Sequence, residues 1–196
     1  MSQRIAERGS VEISLADTII TDQLAGRPLL CRSELKEAAA MQRMTETMAS
    51  DPSKMFEVCA ALGLSLCCAD SCGISLRERT ESGEHIFRWV AIAGEMKRHL
   101  HGTTPRFFSP CGICVDSAKP VLMKRPELFY KYLDVGTPFH DVLLVPLVAM
   151  GQQIEATIWI IAHTPERKFS SHDAYLMDRL AAFIAMALRW RMSQRR

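Results

Sequence analysis

The chain has 196 residues, 48% hydrophobic and 23% charged, with a formal net charge of +2. That is one domain's length with an ordinary globular balance, and so small a charge argues against a dedicated nucleic-acid surface. No apolar run is long enough to span a bilayer, and the charged N-terminus lacks a signal-peptide core, so a cytoplasmic protein without membrane contact is expected.

Residues 11–20 partly alternate, which predicts a short strand or an arm, and Gly26-Arg27-Pro28 breaks the chain. Residues 1–32 are therefore expected as an N-terminal arm, 33–192 as one domain and 193–196 as a tail. Ser33 precedes helical spacing to about Ala49, with Leu35, Ala38, Met41, Met44 and Met48 on the apolar stripe. Asp51 and Pro52 supply a cap and a first residue for a second helix, whose stripe is Met55, Cys59, Leu62 and Leu66. Residues 70–79 and 85–93 then alternate around the turn at 81–84 and predict an antiparallel hairpin. Phe87, Trp89, Ala91 and Ala93 are expected to share one face of its second strand. A helical turn follows over 95–100.

The central run Pro105-Arg106-Phe107-Phe108-Ser109-Pro110-Cys111-Gly112-Ile113-Cys114 gathers two aromatics, a helix start and two thiols. Ser109 can cap and Pro110 can open a short helix to about Ser117. Cys111 then sits in the first turn, where the positive helix end favours a thiolate, and Cys114 follows on the same face. Residues 119–123 predict a strand and 125–133 a helical or irregular connection. Two apolar strands, 141–150 and 153–163, form a second hairpin, with Thr157, Trp159, Ile161 and His163 on one face. Ser170 caps a last helix to about Arg191, with Asp173 at its third position. The order predicts an α+β fold: one antiparallel sheet with helices grouped at its ends and on one face.

These residues resemble a GAF domain. Leu66-Cys67-Cys68-Ala69-Asp70-Ser71-Cys72-Gly73-Ile74-Ser75-Leu76 is similar to the join between the first core helix and first strand. Phe107-Phe108-Ser109-Pro110-Cys111-Gly112 resembles a motif of GAF domains found upstream of bacterial sensor histidine kinases. Leu143-Leu144-Val145-Pro146-Leu147, Thr157-Ile158-Trp159-Ile160-Ile161-Ala162-His163 and Phe169-Ser170-Ser171-His172-Asp173-Ala174 resemble that subgroup's later strands and last helix. The likeness covers about residues 35–190. It implies a sheet of about five or six strands, terminal helices on one face and a ligand pocket on the other. It also implies homodimerisation through those helices. Cys68, Cys72, Cys114 and His140-Asp141 depart from the subgroup's pattern. No output module follows in the chain, so a stand-alone sensor signalling to a partner, such as a histidine kinase, is expected.

The expected pocket residues are Trp89, Arg106, Phe107, Phe108, Ser109, Cys111, Met123, Phe129, Tyr132, His140, Trp159 and His163. Arg106 is the candidate for pairing an anionic ligand group. Cys111 and Cys114 are the redox candidates, and a thiol switch or an enzyme resembling free methionine sulfoxide reductase is the alternative to a non-enzymatic sensor. A haem or non-haem iron gas sensor, with Cys111 beside His140 or His163, is a third reading. Seven cysteines in a reducing compartment are thiols rather than structural disulfides. Cys67, Cys68 and Cys72 have no metal-ligand spacing and read as core. The residues name no cofactor and no metal.

Overall fold

Hydroxyl and carboxylate caps set the helix boundaries. In the computed structural model, which describes residues 13–30, 32–149 and 152–193, Ser14 caps α1 (Leu15–Thr18) and Ser33 caps α2 (Glu34–Ser50). Each cap accepts a first-turn N–H that has no partner within the helix. Asp51 and Pro52 open a 3-10 turn that runs into α3 (Met55–Leu66). Ser109 and Pro110 start α4 (Pro110–Ser117). Asp173 accepts both the amide and the hydroxyl of Ser170 at the head of α5 (Ser171–Ser193). No helix among the described residues is long and apolar enough to cross a membrane.

Six strands form one antiparallel sheet: β1 (Ser71–Arg79), β2 (His85–Gly94), β3 (Thr103–Pro105), β4 (Val121–Met123), β5 (Asp141–Ala149) and β6 (Gln152–Ala162). Their order is β3-β2-β1-β6-β5-β4. The α+β expectation holds. On one face, Cys72 and Ile74 of β1, Leu143 and Val145 of β5, and Ile158 and Ile160 of β6 meet α2, α3 and α5 in one core. On the other face, Phe87, Trp89, Val142, Leu144, Trp159 and Ile161 meet α4 and the chain from 95 to 140.

Strict alternation fails in β2. The β1–β2 register slips between Ile74, opposite Ala91, and Ser75, opposite Trp89. Val90 is the extra residue, and the bulge sends Phe87 and Trp89 to one core and Ala91 to the other. The four residues expected on one face are thus divided between two.

Of the short strand or arm expected for the N-terminal segment, the strand does not form. Where it is described, residues 11–20 hold α1 and a single bridge from Ile19 to Met123 rather than a strand. Ser14 and Asp17 satisfy each other's backbone donors, a local bond set that overrides weak alternation. This lead-in is packed against the domain. Ile20 N donates to Leu122 O at 2.9 Å, and Leu122 N donates to Thr21 Oγ1 at 3.0 Å. These bonds cover the outer edge of β4, which would otherwise offer itself to another chain. Arg27 then reaches the buried Asp141 carboxylate and donates to Phe169 O at 3.0 Å.

Cys59, Cys67, Cys72, Cys111 and Cys114 are free and buried, whereas Cys68 is disulfide-bonded. Cys68 follows α3 with φ 44° and is exposed, so it stands outside the core that shields the other five. The expectation of thiols throughout is corrected at this position.

Asp173 is 2% exposed and bonds Arg167, which also donates to Cys67 O at 2.9 Å through Nε. The pair fastens the start of α5 to the end of α3. Asp173→Ala strands a buried guanidinium and removes the Ser170 partner. It is expected to cost about 3–5 kcal/mol in urea unfolding, and a loss under about 1 kcal/mol would show the pair to be no more than a surface bridge.

Candidate ligand-binding site

A cavity of about 40 Å³ lies between the second sheet face and the excursion from 95 to 140. Trp89, Val142, Leu144, Trp159 and Ile161 supply its sheet side. Met96, Pro110, Cys111, Pro126, Leu133 and Phe139 cover it, and Thr104 of β3 closes one flank.

A missing side chain shapes the sheet side. Gly73 faces Trp159 across the β1–β6 ladder, and a Cβ on Gly73 would stand 2.2 Å from Trp159 Cζ2. The indole therefore lies over β1 and donates its N–H to Ser75 Oγ at 2.9 Å. Cys111 donates its S–H to the same oxygen at 3.5 Å, and Thr157 Oγ1 donates to the Cys111 sulfur at 3.3 Å. Trp89 meets Trp159 edge to face, with ring centroids 6.0 Å apart.

The Ser-Pro-Cys-Gly sequence acts as a positioning device. Ser109 Oγ accepts the Gly112 N–H at 3.1 Å, and a Cβ on Gly112 would lie 2.3 Å from Arg106 O. The first turn of α4 thereby seats against residue 106 and holds Cys111 over the sheet. Burial pushes the Cys111 thiol up, against smaller opposing effects of Ser75 and Thr157. The helix start does not create a thiolate here. Cys114 is likewise pushed up by burial and donates to Lys119 O at 3.5 Å, so the two sulfurs have separate partners.

Arg106 is 6% exposed and already engaged. Its Nη2 lies 2.7 Å from Asp116 Oδ1 and its Nε 3.0 Å from Glu155 Oε1. Its guanidinium carbon sits 5.5 Å from the Phe87 ring centroid and 5.3 Å from that of Phe107. The hydrogen bond from Arg106 holds the Asp116 carboxyl below its ordinary value. An anion would have to displace two carboxylates to reach this arginine.

Of the expected pocket residues, Trp89, Cys111 and Trp159 line the cavity. Phe107 and Phe108 are 80% and 51% exposed and lie outside the lining. Phe108 packs against the buried Tyr130 and the half-buried Phe129, with ring centroids 5.0 Å and 5.6 Å away, and accepts the Tyr132 hydroxyl at its carbonyl, 2.6 Å away. Met123 is buried beneath the lead-in. His140 donates its backbone N–H to Ala162 O at 2.9 Å and is not in the lining. His163 is a tie between segments: Nε2 lies 2.9 Å from Ser71 Oγ and Nδ1 2.9 Å from Pro138 O. Ser71 Oγ also accepts Met96 N–H at 3.0 Å. Among the described residues no group of three or more His, Cys, Asp or Glu side chains could hold a metal ion.

The residues missed by sequence reasoning fall into two kinds. Val142, Leu144 and Ile161 share the alternation of Trp159 and were accessible to the same argument. Met96, Thr104, Pro126, Leu133 and Phe139 come from short or irregular segments, which carry no periodic signal.

Comparison with known proteins matches residues 51–188 to the GAF domain. Among solved structures, the GAF domain of an Acinetobacter phosphoenolpyruvate-protein phosphotransferase aligns at TM-score 0.65 and 12% identity, covering 83% of this chain and 97% of that one. The second GAF domain of DevS from Mycobacterium smegmatis aligns at 0.58 and 21%, covering 74% and 98%. Free methionine-R-sulfoxide reductase from Neisseria meningitidis, in complex with its substrate, aligns at 0.60 and 14%, covering 83% and 95%. At these identities the likeness is one of fold. No curated protein matches the chain.

Thiol burial fixes a reactivity pattern. Iodoacetamide at pH 8 is expected to leave Cys59, Cys67, Cys72, Cys111 and Cys114 unmodified in the folded protein and to label all five once it unfolds, read by peptide mass mapping. Selective labelling of folded Cys111 would restore the reactive-thiol reading. A raised thiol pKa adds stability that is complete below the unfolded value and fades as pH rises toward the folded one. For Cys59 that window runs from 9.0 to about 12, so unfolding free energy should decline across it. Gly73→Ala forces the Trp159 ring aside; about 1–3 kcal/mol of destabilisation and altered tryptophan fluorescence are expected.

Proposed function

The chain belongs to the GAF domain family, and on that premise we propose that it is a regulatory sensor whose cavity takes a small molecule and whose terminal helices signal to a partner. The observation that carries this reading is the cavity itself, walled by the sheet on one side and by one short helix with turns and loops on the other. The cover is built from α4 and the 3-10 turns Glu95–His99, Pro126–Leu128 and Lys131–Leu133. Short turns with few ladder bonds belong to the less stable part of a fold, where ligand-dependent ordering occurs. Polar ties at Ser71, Met96, Pro138 and His163 limit how this cover can move.

The mechanism is a population shift. A ligand that binds better beneath a closed cover favours the closed state by its difference in affinity and by no more than that. The output surface is the helix layer on the opposite sheet face, where Leu35 of α2 and Tyr175, Met186 and Trp190 of α5 are exposed. This layer is the proposed homodimer or signalling-partner surface, with a histidine kinase as the partner class. The protein acts without turnover. The raised Cys111 thiol supports packing rather than nucleophilic attack.

Native mass spectrometry of purified protein, a metabolite thermal-shift screen and hydrogen exchange test the proposal together. A true ligand at a hundredfold excess over Kd should stabilise the fold by about 2.7 kcal/mol. It should slow exchange over 95–140 and alter exchange in α2 or α5. Absence of any retained small molecule, with no stabilisation across the screen, overturns the sensor reading.

A further inference from the structure

We infer that the ligand of this cavity is an uncharged, largely apolar molecule with one hydrogen-bonding group, received by the hydroxyl of Thr104; this rests on the sensor reading above and narrows its chemistry. Three observations combine. First, no lining residue carries a charge. An ion entering the cavity would lose hydration with no counter-ion in the lining, a cost that ordinary binding contacts do not offset. Arg106 supplies none, because Asp116 and Glu155 already hold it.

Second, the polar groups bordering Trp159 and Cys111 are already bonded to one another. The Trp159 N–H and the Cys111 S–H both end on Ser75 Oγ, and Thr157 ends on the Cys111 sulfur. A ligand gains little by competing for them.

Third, one lining residue carries a buried hydroxyl that has no partner. Among the described residues, the buried side-chain oxygens lacking a hydrogen bond are Thr104 Oγ1, Glu127 Oε2 and Asp141 Oδ1, and of these residues Thr104 alone lines the cavity. Thr104 is 3% exposed and pairs with Phe87 across β2–β3, which puts its side chain on the face that carries Trp89. A buried hydroxyl without a partner is unfavourable, and on a residue that walls a cavity it gains most from a ligand that bonds it. Glu127 and Asp141 differ in kind: each has its other carboxylate oxygen bonded to an arginine.

The volume sets the scale. At about 40 Å³ the cavity is far smaller than the roughly 150 Å³ space that admits benzene in an engineered protein core. A single ring therefore enters only if the 95–140 cover lifts, which ties occupancy to movement.

The test is an NMR titration of the full chain with phenol, benzene and benzoate, in the natural protein and in Thr104→Val. Valine keeps the shape of threonine and removes the unbonded hydroxyl, so the variant should fold with an unchanged or higher Tm. Phenol is expected to shift the Thr104 and Cys111 amides and the Trp89 and Trp159 indole signals, about fivefold more tightly than benzene. Benzoate at neutral pH should leave them in place. In Thr104→Val phenol should fall to benzene's affinity while benzene is unaffected. Saturable binding of benzoate in the cavity would overturn the inference and leave the sensor reading intact. Undiminished phenol selectivity in the variant would overturn the role of Thr104. If none of the three probes reaches the cavity, the inference fails, and the metabolite screen decides the sensor reading separately.

Discussion

A sheet buried on both faces gives its central strands no solvent side, and every polar group there must find a partner within the protein. Here the two faces are filled differently. The face under α2, α3 and α5 is almost wholly apolar and closely covered. The other face carries the large indoles of Trp89 and Trp159 beside Ser71, Ser75 and Thr157, and its cover is the short helix α4 with 3-10 turns and loops. Polar strand residues on this side survive because they bond to the Trp159 indole, to Cys111 and to His163. The cavity is what remains where two indoles and a loop cover do not fill the space.

The same constraint decides what becomes of the Cys111 thiol. A helix N-terminus favours an anion by about 0.3–1 kcal/mol at the surface, whereas removing a charge from water costs several kcal/mol. Cys111 is at a helix start and also buried, so desolvation prevails and the thiol stays protonated. Arg106 shows the matching outcome for a cation. It tolerates burial because two carboxylates and two aromatic rings surround it, and those partners are what keep it from serving a ligand.

Much of the fold was legible because its signals are local. Ser33, Asp51-Pro52, Ser109-Pro110 and Ser170 mark helix starts through bonds within a few residues. Alternation in 85–89 and 157–163 paired Phe87 with Trp89 and Trp159 with Ile161, each pair on one face of its strand, and the fold brings both pairs to the same side of the sheet. The bulge at Val90 was hidden, since an extra residue in a strand is defined by the partner strand rather than by its own sequence. The three-residue strand β3 was hidden because it is shorter than any period. The site suffered most from this. Thr104 lies in that strand, and Phe139 and Leu133 lie in chain whose position depends on distant ties such as the one between His163 and Pro138. Phe107 and Phe108 were read as pocket aromatics from their size, yet both are exposed and neither is in the cavity lining.

The strand β1 connects the two halves of the proposed mechanism. Gly73 and Ser75 meet Trp159 on the cavity side, while Cys72 and Ile74, their immediate neighbours, pack into the core shared with Met177 and Leu180 of α5. A close-packed interior does not deform freely, so a displacement of the Trp159 indole is felt along β1 rather than absorbed beside it. Adjacency alone does not create a signal. The helix layer responds only to the extent that open and closed covers hold this indole differently and that the ligand distinguishes the two. In the proposed mechanism the bond from Trp159 to Ser75 is therefore where ligand binding and strand position meet, with the cavity and the helix layer facing opposite sides of one alternating strand.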